Sequence, residues 1–410
     1  MGLLKSFAAL SAVTMLLLAN HLYSTVPEDL EDPWLAKTYI AAFKFANLMA
    51  EFLSMITGIS SVDLLRWQLE MLYDSNFEDP EILVENHNFD GIPVRLYRSK
   101  LTTDVSPALV YIHGGGWTLF TLDSYNLVCS QLALHTNTVV ISVSYRRSPE
   151  SAYPVPFDDC LKATLYVLHN GRRYGVDPAR VAVAGDGTGA NLAAAVAFRL
   201  SEEDPEYTPF VKLQILLQPA MQAFTFDTPS YRQNAKDTLV GRRAMIEFWC
   251  HYLGVHASSD TISALERNEH ITPTIKRAIY SLYTSENLLP QLVKTHYTPS
   301  NLDRYTTAYS DEISKVVESK VIDPFMSPLL ADDLSKSSPV FILVAEYDVL
   351  RDDGLLFASR LKEANVSVTV KYVGNQSHGF LAPLSLSEHA RFTSTNKTWA
   401  DVYEFIKLNL

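Results

Sequence analysis

The chain has 410 residues, 47% of them apolar, with a formal net charge of −12 and a pI near 5.4. That length and composition fit one large globular domain with insertions, or two ordinary ones, and exclude a disordered chain. An acidic balance with no block of Lys or Arg excludes a phosphate-backbone footprint, so nucleic acid is not an expected partner.

Near the N-terminus, Lys5 precedes a mostly apolar run from Phe7 to Ala19, and Glu28, Asp29, Glu31 and Asp32 follow it. This charge bias predicts a signal-anchor over residues 1–24 that leaves the N-terminus cytosolic and sends the remainder across the membrane. A cleaved signal peptide is the rival reading, since the run is short for a span, although no clear small-x-small site follows. Residues 1–6 also fit a myristoylation pattern, but the apolar run already accounts for targeting. Three N-x-S/T sequons, at Asn365, Asn375 and Asn396, are glycosylation candidates in a chain that reaches the lumen.

Residues 25–80 read as N-terminal cap helices. From Tyr39 to Ile56 the polar residues Lys44, Asn47, Glu51 and Ser54 form one narrow stripe at helical spacing, which predicts a helix that is mostly covered. The cover is either the domain beneath it or a membrane surface near an apolar ligand entrance. Beyond it, Glu81–Asn88 and Pro93–Arg98 predict a hairpin turning at Asp90-Gly91.

Short β-rich runs then recur at Ala108–His113, Thr138–Ser144, Val181–Gly185, Leu213–Leu217, Val340–Ala345 and Val366–Tyr372, most of them separated by helical stretches. Such alternation predicts an α/β domain over 81–410, with a mainly parallel sheet and function at the C-terminal strand ends. The interval from about 221 to 326 breaks the alternation and reads as a helical cap insertion. Its stripe of Met245, Phe248, Trp249 and Tyr252 is expected to be core rather than pocket lining.

Three segments carry chemistry. Ala108–Ile112 leads into His113-Gly114-Gly115-Gly116-Trp117, where backbone without side chains lets successive N–H groups face a developing oxyanion. Val181–Ala184 leads into Gly185-Asp186-Gly187-Thr188-Gly189 and a helix-forming run, the strand-turn-helix of a nucleophile elbow. Gly185 and Gly189 supply the small flanks such a turn requires, but its apex should be serine, and Gly187 has no oxygen with which to attack a carbonyl. Thr188, one place along, would leave the apex in another direction. Finally, Asp348 follows the strand at 340–345, and His378 follows the strand at 366–372. Elbow, acid and histidine in that order, each after a strand, are expected of an α/β hydrolase.

These motifs, with Pro33-Trp34, Tyr145-Arg146-Arg147-Ser148-Pro149-Glu150 and Ser327–Ala331, resemble the hormone-sensitive lipase group of carboxylesterases, specifically arylacetamide deacetylase and neutral cholesterol ester hydrolase. The resemblance covers nearly the whole chain. It implies an α/β-hydrolase fold with a helical cap, hydrolysis of apolar acyl esters or amides, and an endoplasmic reticulum membrane location with a lumenal catalytic domain, secretion being the alternative. It also implies that His378 is the base, Asp348 its orienter, and the amides of Gly114, Gly115 and Thr188 the oxyanion hole.

The family's Gly-Asp-Ser-Ala-Gly-Gly stands here as Gly185-Asp186-Gly187-Thr188-Gly189-Ala190. The function expected is therefore a pseudo-esterase that holds an apolar acyl or steroid-like molecule, or engages a protein through its cap. A slow hydrolase that activates water with His378 is the alternative. No metal or organic cofactor is expected, because no His/Asp/Cys cluster has ligand spacing, and Cys129, Cys160 and Cys250 are too widely spaced for a disulfide framework.

Overall fold

The computed structural model describes residues 19–71, 79–102, 105–202, 211–236, 238–283, 288–290, 293, 308–381 and 391–410. Most of the Phe7–Ala19 run lies outside them. The hairpin forms as β1 (Ile82–Phe89) and β2 (Ile92–Ser99), antiparallel and turning at Asp90-Gly91, both with positive φ. The remaining strands are β3 (Ser106–Ile112), β4 (Val139–Val143), β5 (Val176–Asp186), β6 (Leu213–Leu217), β7 (Val340–Tyr347) and β8 (Val368–Ser377). They form one sheet in the order β1-β2-β4-β3-β5-β6-β7-β8, parallel throughout from β4 to β8.

Period-two alternation divides the apolar residues between two cores. On β3, Ala108, Val110 and Ile112 enter one cluster while Leu109 and Tyr111 enter the other, and Val181/Val183 and Ala182/Ala184 divide likewise on β5. Such strands, buried on both faces, read as continuous apolar runs in sequence. Two strands run longer than expected: β5 begins at Val176, which pairs with Ser106 across a register shift, and β8 continues through polar Gly374, Asn375 and Gln376 to Ser377. In both extensions the ladder is interrupted by a register shift and resumes where the apolar pattern has stopped.

Ahead of the sheet lie α1 (Pro33–Thr57), starting on Pro33 and ending at Gly58 with φ 72°, and α2 (Ser61–Glu70). By length and composition alone α1 could cross a membrane. It packs against α2, however, and its Ala50 joins Leu65, Leu69 and Leu119 in a small separate cluster. Of the two covers expected for this helix, the domain supplies only part. Only Ala36, Ile40 and Ala50 are buried among its 25 residues, because α2 and the domain cover one side and nothing in the described chain stands over the other.

Further helices alternate with the strands: α3 (Asn126–Thr136), α4 (Val155–Asn170) and α5 (Thr188–Glu202). Between β6 and β7 the described residues contain α6 (Pro229–Gln233), α7 (Arg242–Leu253), α8 (Ser259–Glu266), α9 (Pro273–Tyr283) and α10 (Asp311–Val321). After β7 comes α11 (Arg351–Glu363), and α12 (Thr395–Asn409) ends the chain.

Candidate active site

The C-terminal ends of β3, β5, β6, β7 and β8 converge on one place. Between β5 and α5, Gly187 adopts φ 52°, a left-handed conformation that a non-glycine residue occupies at a cost of about 1–3 kcal/mol. Its neighbours impose that turn: the Gly187 amide donates to Leu217 O at 2.8 Å and its carbonyl accepts from Ala220 N at 3.1 Å. A Cβ at Gly189 would lie 2.1 Å from Ile112 O, and one at Gly185 would lie 2.5 Å from the Gly189 carbonyl, so the flanking glycines are required for space. At Gly187 there is room: a Cβ would meet only His378, 3.5 Å from Nε2.

His378 Nδ1 lies 2.8 Å from Oδ2 of Asp348. Burial disfavours the charged ring, but the field and hydrogen bond of Asp348 outweigh it, with a further pull from Asp186, and His378 titrates above its ordinary value. Asp348 is fully buried, and its Oδ1 accepts from Leu350 N at 2.8 Å.

Gln218, which follows β6 directly, is a positioning residue that sequence reasoning missed. Its amide donates to Asp348 Oδ2 at 3.1 Å and to Ser377 O at 3.2 Å, while its carbonyl accepts from Gly379 N at 3.0 Å. It thereby holds the acid and both flanks of His378. The available signal was its position, one residue past an apolar strand that ends beside the elbow.

On the oxyanion loop the assignment of Gly114 is corrected. Its amide is directed at Asp186 Oδ1 and the Tyr125 hydroxyl, each at 3.2 Å, away from the apex. Asp186 is the hub here, also accepting from Tyr111 at 2.9 Å and Tyr125 at 2.7 Å, and burial raises it above the usual carboxylate range. Gly115 and Gly116, with φ 96° and 67°, line the cavity together with Gly187, Thr188 and His378.

His113 takes no position for chemistry. It is buried, stacks on Tyr145 at 4.4 Å and is lowered to about 4 by burial, so it is a neutral brace for the loop. Trp117, fully buried, stacks on Tyr252 at 4.3 Å. Thr188 is also committed, since its Oγ1 accepts from Trp117 N at 3.2 Å and ties the elbow to the oxyanion loop.

Arg66 of α2 is the other residue missed. It donates to Thr118 O at 2.8 Å, Ser148 O at 2.7 Å, Glu150 at 2.6 and 3.0 Å, and Asp63 at 3.0 Å. One buried guanidinium thus joins the N-terminal helices to both the oxyanion loop and the Tyr145–Glu150 segment.

The apex opens into a cavity of about 590 Å³ lined mostly by apolar side chains, among them Tyr39, Ile40 and Phe43 of α1, Leu69 of α2, and Leu239. The stripe expected to be core is divided: Met245 and Phe248 line the cavity, whereas Trp249 and Tyr252 pack on Trp117. The three cysteines are free and buried, and burial pushes Cys129 and Cys250 up to about 12, which removes both from consideration as nucleophiles. The three sequon asparagines are all exposed, Asn375 in β8, Asn365 after α11 and Asn396 in the first turn of α12.

A family described as alpha/beta hydrolase fold matches residues 109–291 and 271–382. Bovine (Bos taurus) arylacetamide deacetylase is 35% identical over 89% of this chain and 91% of its own length. Neutral cholesterol ester hydrolase 1 of Rattus norvegicus is 30% identical over 97% of this chain and 99% of its own. The chain belongs to this family of α/β hydrolases. Among solved structures, a thermostable esterase from Pseudomonas putida superposes with a TM-score of 0.62 at 23% identity, covering 94% of this chain and 99% of that one, a likeness of fold. Carboxylic ester hydrolysis is the chemistry of this family, and the residue at the apex of the turn in this chain is Gly187.

Proposed function

We propose that this chain is a pseudo-esterase: a member of an ester-hydrolase family that binds an apolar acyl or steroid-like molecule in the Gly187 cavity without forming an acyl-enzyme. The observation that carries the reading is the pairing of Gly187 with an otherwise assembled site. His378 and Asp348 are 2.8 Å apart, and a cavity of about 590 Å³ leads to an apex with no nucleophilic atom. A cavity of this size and apolarity matches the usual dimensions of small-molecule sites. The amides of Gly115, Gly116 and Thr188 are the groups that would face the carbonyl oxygen of such a ligand. The N-terminal apolar run supports an endoplasmic reticulum membrane location with this domain lumenal.

The test is phosphonate labelling and short-chain ester hydrolysis, wild type beside Gly187→Ser. An inert wild type and a labelled, active variant support a binder whose site is intact. A wild type that labels would overturn the reading, and two inert proteins would turn attention to a structural role.

A second reading has its own observation. A side chain at 187 would point at His378 Nε2, so its absence leaves space there of the order of one water, about 30 Å³. His378 would take a proton from that water as the hydroxide attacks the ester carbonyl, then return it to the departing alcohol. Catalysis without one member of the triad retains roughly 10³–10⁴-fold over water. Slow turnover without a burst or label, abolished in His378→Ala, distinguishes this route from binding alone.

A further inference from the structure

The outer face of α1 is apolar, exposed and next to the point where the described chain begins. Residues 34, 38, 41, 45, 48, 52 and 55 recur at alternating intervals of four and three, which places them on one face, and only Thr38 among them is polar. Trp34 is 81% exposed, Phe52 53% and Met55 82%, and on α2 Trp67 is 56% exposed. A monomeric soluble surface rarely groups such side chains without a partner.

The chain's own course indicates what that partner is. Lys44 Nζ donates to Tyr23 O at 3.2 Å and Ser24 Oγ at 2.9 Å, pinning the start of the described chain to the middle of α1. In sequence, the apolar run ends at Ala19, four residues before the Tyr23 that Lys44 holds. If that run enters a bilayer, α1 is held at its surface. Glu51, Asp63 and Glu70 on these helices are balanced by Lys37, Lys44 and Arg66, so no net charge draws them to anionic lipid, whereas two exposed tryptophans suit the interfacial zone of a bilayer of zwitterionic lipid.

We propose that the outer face of α1 and α2 inserts into the interfacial layer of the membrane carrying the N-terminal segment, so that the cavity opens onto the acyl-chain region. Phe45 and Met71 belong to both surfaces, exposed at 44% and 68% and lining the cavity. An apolar ligand then passes from lipid to cavity without crossing water. The inference rests on the membrane-anchored reading of the N-terminus, and it is independent of whether the cavity retains chemistry.

The test uses the full chain in phosphatidylcholine vesicles with acyl chains brominated at successive depths, reading tryptophan fluorescence. Trp117, Trp249 and Trp399 are buried, so the exposed Trp34 and Trp67 are the reporters. Quenching that is strongest for the shallowest bromines, and that is lost in the Trp34→Phe/Trp67→Phe double variant, is expected. Phe52→Glu with Met55→Glu should also abolish it while leaving the circular dichroism unchanged. Protein that floats with the vesicles but shows no quenching overturns the inference and spares the anchor; protein that does not float overturns both. Quenching that persists in the double variant would come from buried tryptophans and also overturns it.

Discussion

Gly187 faces His378 across open space: a Cβ at 187 would lie 3.5 Å from His378 Nε2 and touch nothing else. Serine therefore fits at this position without displacing a neighbour. Its cost is conformational, because φ 52° is strained for any residue with a Cβ. Gly187→Ser should lower stability by about 1–2 kcal/mol in denaturant unfolding while gaining phosphonate labelling. A stability unchanged or increased would show that the elbow relaxes when serine is present.

The pairing of His378 with Asp348 has a pH signature. The folded histidine titrates above its ordinary value of about 6.5. Its contribution to stability is therefore fully present below the unfolded value and is lost as pH rises through the folded one. Asp348→Asn should bring the His378 titration, followed by NMR of the ring protons, down from its raised position. It should also flatten the pH dependence of stability in that window.

Thr188 holds the elbow to the oxyanion loop through Trp117 N. Thr188→Ala leaves that buried amide without its acceptor and should cost about 1–2 kcal/mol, measured by urea unfolding. Thr188→Ser, which keeps the oxygen, should recover most of the loss. Equal losses in both variants would assign the effect to the methyl group's packing.

Arg66 joins α2 to two loops through buried carbonyls and the Glu150 carboxylate. Arg66→Ala leaves the buried carbonyls of Thr118 and Ser148 unpaired, at about 1–3 kcal/mol each, whereas the half-exposed Glu150 and Asp63 return to water, so the loss in urea unfolding should come mainly from the two carbonyls. The same variant should weaken binding of an apolar fluorescent probe to the cavity, because the loop bearing Gly115 and Gly116 loses its tether. Binding retained at full strength would confine Arg66 to a structural role.

The strands were legible because burial on both faces writes itself as uninterrupted apolar runs, as at Leu213–Leu217, and the hairpin because Asp90-Gly91 supplies two residues tolerant of positive φ. The elbow was legible because close approach of backbones demands Gly185 and Gly189. What stayed hidden depends on contacts between segments distant in the chain. Nothing local to Gln218 announces that it will span Asp348 and both neighbours of His378, 130 to 161 residues away. Likewise, the glycine triplet marks an oxyanion loop without saying which amide turns toward Asp186. The same limit applies to α1: its composition calls for a cover, and composition alone does not say how much of it the domain supplies.

The Gly187 amide and carbonyl are bound to Leu217 and Ala220, and so the left-handed turn belongs to the strands around it rather than to the residue at its tip. A glycine there neither releases strain that would unfold the turn nor closes the space that a hydroxymethyl group would fill. Glycine at the apex thus leaves the turn held by its neighbours, and the scaffold has room for a Cβ there by a change at a single position.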